Sequence, residues 1–162
     1  MENLGEGFFL SFAPEAIKSW LKRDGVQQHL SKHQEAFRTW NKEHNLTEET
    51  FGWPGGAYVM LHSLAHLLIT EAALDCGYGA SAIKERIYAF SDIGYGILLY
   101  TGGSGSEGSL GGLVALADRV DELLRLALER GRLCSNDPFC AGHDPEDPME
   151  KRYAHGAACH GC

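Results

Sequence analysis

Four of the five cysteines in this 162-residue chain fall within its last twenty-nine residues, as CSNDPFC (Cys134, Cys140) and CHGC (Cys159, Cys162). Four thiolates satisfy the tetrahedral demand of structural zinc, with Zn–S bonds near ~2.3 Å. Gly161, inside the C-x-x-C pair, lets the backbone turn so that both sulfurs face one ion. The first pair is wider, with five residues between its cysteines, and Asn136 and Pro138 favour a turn that would close it. His143, His155 and His160 lie in the same stretch and could replace one sulfur. Buried cysteines, a redox C-x-x-C or a disulfide pair compete with this reading. The segment between the cysteines is polar and proline-bearing, however, and cannot order itself by burial, so a metal must supply the organisation. The expected cofactor is one structural Zn2+. A saturated four-cysteine site leaves no position for a reacting water.

Two further patterns carry chemistry in principle. In HSLAH, His62 and His66 stand at i, i+4 on one helical face, as the histidines of a zincin do. The zincin glutamate is absent, because Ser63 follows the first histidine. Glu71 or Glu107 would then complete a three-ligand site, or Ser63 with a histidine and Glu107 would form a nucleophile pair. A small hydrolase using His62, Ser63, His66 and Glu107 is therefore the alternative function. Against it, histidines on a buried helix usually serve as hydrogen-bonded core groups. Gly103, Gly105 and Gly108 spell G-x-G-x-x-G between a strand and a helix. The dinucleotide fold needs a second parallel strand ending in an acidic residue, and here the helix runs into the cysteine segment instead. These glycines read as a tight strand-to-helix turn, with anion binding by the helix start as a weaker option.

Bulk properties narrow the setting. With 22 acidic against 14 basic side chains the net charge is −8, the wrong sign for a chain that grips phosphates unaided. A local basic patch around Lys84, Arg86, Arg130, Arg132, Lys151 and Arg152 is the exception to look for. The N-terminus has neither a basic region nor an apolar run of signal-peptide length. The most apolar stretch, residues 58–74, is interrupted by His62, His66 and Glu71, so no membrane span is expected. The expected location is cytoplasmic, where clustered cysteines serve metals before disulfides.

The elements that must position these residues make an α+β layout, in which three to four helices pack on a small antiparallel sheet with the cysteine segment appended. A single domain is expected, divided into residues 1–50, 51–130 and 131–162. The aromatic run over 6–12 predicts a strand. A helix opens at Pro14 and stops at Gly25, and a second covers 26–45. Trp20, Phe37 and Trp40 read as core. Residues 57–76, apolar on several faces, predict the central buried helix. The stretch IKERIYAF predicts a helical turn running into a strand, YGILLYT a buried strand, and residues 109–130 a helix.

Five blocks in order, HSLAHLL, GYGASAIKERIY, ILLYTGGSGSEGSLGGLVAL, CSNDPFC and GAACHGC, resemble the MrfA-type zinc-binding (MZB) domain. The likeness covers residues 55–162, and LGEGFFLSF is similar to the lead-in strand of DrmB-like proteins. This domain is found near the C-terminus of certain DNA-repair helicases and in the DrmB component of DISARM phage-defence systems. The resemblance implies that Cys134, Cys140, Cys159 and Cys162 bind zinc and that Cys76 does not. It also implies a structural or coupling module of a DNA-translocating machine rather than an enzyme. The chain departs from the family in ending at the last cysteine and in having no helicase lobes. It also lacks a G-x-x-x-x-G-K-[ST] loop, so it is not expected to hydrolyse ATP. The expected partners are helicase lobes or a separately encoded helicase-like subunit, with nucleic acid contacted only indirectly.

Overall fold

A computed structural model of the chain describes residues 5–101, 112–132 and 147. Within them the order is β1 (Gly7–Phe12), α1 (Pro14–Leu21), α2 (Asp24–Glu43), α3 (Gly56–Cys76), a 3-10 turn (Ala80–Ala82), β2 (Ile83–Phe90), β3 (Gly94–Thr101), α4 (Gly112–Ala115), a second 3-10 turn (Leu116–Arg119) and α5 (Val120–Gly131). The segment from α4 to α5 is one helical run tightened in its middle. The described residues therefore show four helical units and a three-stranded sheet, the expected α+β arrangement.

The strands lie in the order β1-β3-β2 and all pair antiparallel, with Phe8 opposite Leu99 and Glu85 opposite Leu99 from the other side. Alternation along each strand sends Phe8, Ile83, Ile97 and Leu99 inward, where they are buried, because side chains two apart share a face. Strand β3 sits in the centre of the sheet and is buried along most of its length, as its unbroken apolar run predicts.

Helix α3 lies between the sheet and α5. Leu61, Ala65, Leu68 and Ala72, at helical spacing, have no exposed surface. Burying a leucine of this kind stabilises the fold by about 1.5–3 kcal/mol. By length and composition α3 would be long and apolar enough to cross a membrane; here that apolarity is spent on two packing faces. Gly77 ends the helix in the left-handed conformation, φ 71°, which glycine adopts without a Cβ penalty.

Three expectations need correction. The first helix ends at Leu21, and Gly25 is the second residue of α2 rather than a stop; the break falls at Lys22 and Arg23, where no apolar spacing is interrupted. IKERIYAF is strand throughout, the helical turn lying just before it at Ala80–Ala82. Pairing with β3 outweighs the helix propensity of Lys84, Glu85 and Arg86. Phe37 and Trp40 are half-buried and sit outside the main core. Phe37 stacks on Phe51 at 5.3 Å and meets Trp53 at 5.5 Å, and Trp40 stacks on His44 at 4.1 Å, forming a satellite cluster under residues 45–55. Trp20 is likewise only half-buried.

Candidate metal centre

Cys134, Cys140, Cys159 and Cys162 lie outside the described residues, as do His143, His155, His160, Glu107 and the glycines of the G-x-G-x-x-G turn. Four thiolates would suit one tetrahedral zinc. Cys76, the fifth cysteine, is half-buried beside α4. Burial, then the Asp75 and Glu6 carboxylates, push its thiol up from the ordinary range.

The described residues bring together a different set. His62 and His66, one turn apart on α3, approach through their Nε2 atoms at 2.9 Å. The i, i+4 spacing puts both rings on the face that meets β2. Glu85 comes from β2, with Oε1 at 3.7 Å from His62 Nε2 and 3.6 Å from His66 Nε2. All three side chains are partly sheltered, with exposures of 33% for His62, 16% for His66 and 26% for Glu85. Among the described residues, this is the group of histidine, cysteine and acidic side chains close enough to share one cation.

The other residues named from the sequence are engaged elsewhere. The Ser63 hydroxyl donates to the Val59 carbonyl one turn back at 2.9 Å. Glu71 is buried and accepts a hydrogen bond from the Arg130 guanidinium, pinning α3 to α5. It is therefore not the third ligand of the histidine pair. Of the suggested basic patch, Lys84 and Arg86 are exposed on β2 and Arg130 is paired with Glu71, while Lys151 and Arg152 lie outside the described residues.

Two carboxylates were missed in the sequence. Glu85 stands between Ile83 and Ile87 on the inward face of β2, and strict alternation would have marked it as an acid on an apolar stripe. Reading the segment as partly helical hid this. Glu6 has no such signal. Its side chain accepts hydrogen bonds from the Tyr78 hydroxyl and from the backbone amides of Leu113 at 3.3 Å and Val114 at 3.4 Å. It thus joins β1 to the opening turn of α4, where free amides favour an anion. The bond to Glu6, with burial second, pushes the Tyr78 hydroxyl up to about 12.

A family model described as the MrfA Zn-binding domain (MZB) matches residues 64–162. The chain is also similar to the DISARM protein DrmB of Bacillus paralicheniformis (strain ATCC 9945a / NCIMB 11709 / CD-2), with 39% identity over 166 residues. That alignment takes in 98% of this chain but 28% of the relative, so the chain spans just over a quarter of that protein's length.

Proposed function

Because the chain belongs to the MrfA Zn-binding domain family, we propose that it is a non-catalytic accessory domain built around one structural zinc held by Cys134, Cys140, Cys159 and Cys162. The observation that carries this reading is that the family match runs from residue 64 to residue 162 and so takes in all four cysteines. Metal binding would fold the polar C-terminal segment, which has too little apolar surface to fold by burial. Its setting, on this proposal, is a cytoplasmic anti-phage or DNA-repair assembly, where it packs against helicase lobes or a helicase-like subunit. The likeness to DrmB across nearly the whole chain supports the defence setting.

The test is a pair of variants and a chelator. Cys159→Ser and Cys162→Ser are expected to lose zinc and to unfold at lower temperature, and chelation is expected to bring the wild type to the same level. A variant as stable as the wild type, and indifferent to chelator, would overturn the reading. For the assembly, co-expression with a helicase-like subunit of the same defence system should yield a complex that the cysteine variants fail to form.

A further inference from the structure

We propose that His62, His66 and Glu85 form a second metal site, which takes a first-row divalent cation of the zinc class through two imidazole nitrogens and one carboxylate oxygen. The inference goes beyond the four-cysteine reading and uses none of its residues.

Geometry carries it. A tetrahedral ion with bonds of about 2.0–2.1 Å to nitrogen and oxygen sets its ligand atoms about 3.3 Å apart. The three edges here are 2.9, 3.6 and 3.7 Å. A circle through three atoms so spaced has a radius of about 2.0 Å, close to the length of one zinc–ligand bond. An ion slightly above that plane would reach all three atoms with side-chain shifts of a few tenths of an ångström.

The donors suit such an ion. Imidazole selects zinc and its first-row neighbours over magnesium and calcium, and a carboxylate supplies the charge that two neutral rings lack. A metal also resolves the close approach of the two Nε2 atoms. Without one, a neutral pair can sit this close only if one nitrogen carries the proton and the other accepts it; with one, both lone pairs point at the ion. The platform is firm, because both histidines project from the buried core helix and Glu85 from a strand paired along its length with β3. Three protein ligands leave a fourth position for water or an anionic oxygen, and the partial exposure of His62 leaves that side open to solvent.

The competing account is a metal-free His–His–Glu hydrogen-bond network, and metal counting separates the two. The full chain is stripped of metal with chelator under reducing conditions, saturated with Co2+ and cleared of excess by gel filtration. The expected result is two ions per chain, one of them marked by thiolate-to-cobalt charge transfer. Glu85→Gln and His62→Gln are expected to retain one ion each and to keep the thiolate band at full strength, with circular dichroism unchanged. His62 and Glu85 are both partly exposed, so these near-isosteric changes leave the core intact. A wild-type chain that takes up a single ion with the thiolate band fully developed overturns the proposal, as does a folded Glu85→Gln chain that keeps both. A single ion without that band, lost on Glu85→Gln, would support this site while the four-cysteine reading failed.

Discussion

At the scale of single residues, two carboxylates that the primary structure does not advertise organise the surroundings of the core. Glu85 turns a pair of histidines into a three-donor cluster, and Glu6 ties the first strand to the opening of α4 through Tyr78, Leu113 and Val114. The Tyr78 contact has a pH signature. An isolated tyrosine titrates near 10 and the Glu6 contact pushes the Tyr78 hydroxyl up to about 12, so folding holds the proton more tightly than the unfolded chain does. The stabilisation is therefore complete below pH 10 and is lost as pH rises through about 12. Tyr78→Phe is expected to remove this part of the alkaline destabilisation, flattening the unfolding midpoint against pH between about 10 and 12. Denaturant titrations across that window check it, and an unchanged slope would mean that the Glu6 contact is not maintained in solution.

At the scale of elements, α3 and β3 carry most of the structure. Leu61 is fully buried on α3, and Leu61→Ala is expected to cost about 2–5 kcal/mol, read as a lower denaturant midpoint. On β3 the critical position has no side chain. A Cβ on Gly96 would meet the Phe9 ring, and the Leu10 carbonyl oxygen at 2.9 Å. The Phe9 ring lies across this gap and packs edge-on against Tyr88 at 5.5 Å, bridging the two outer strands over the central one. Gly96→Ala is expected to destabilise by about 1–3 kcal/mol, since the ring can swing away but the paired backbone of β1 cannot. Hydrogen exchange should show the loss concentrated in β1, with the β2–β3 pairing protected.

At the scale of the whole molecule, charge decides what the chain can grip. A net charge of −8 surrounds a divided set of basic groups, with Lys84 and Arg86 exposed on β2 while Arg130 is bound to Glu71 and Arg119 to Asp75 at 2.6 Å. The net charge of −8 opposes a phosphate backbone, and Arg130 and Arg119 are already held by carboxylates. The isolated chain is accordingly expected to show no measurable affinity for a single-stranded oligonucleotide at physiological salt. Fluorescence anisotropy over a salt series checks this, and an affinity falling steeply with salt would show a basic surface assembled elsewhere in the chain. Among the described residues, the large exposed apolar groups include Phe9, Phe51, Leu74, Phe90, Ile93 and Leu128, not the tryptophans.

The amino-acid sequence by itself determined the α+β class, the buried central helix, the central strand and, through five ordered blocks, the family. These follow from local periodicity, turn residues and the spacing of cysteines, all of which act within short stretches of chain. Pairing between strands and packing between helices were decided only in the tertiary structure. IKERIYAF contains helix-forming residues, and it is strand because β3 offers it a partner along its whole length. The histidine pair was legible as one helical face, but its third member was not: Glu85 lies nineteen residues beyond His66, and a hairpin edge rather than a spacing brings it back. Glu71, the nearer carboxylate, faces the other way because α5 presents Arg130 to it. Spacing along one element says which side chains share a face; which face meets which is settled by how the elements bury their apolar surfaces against one another.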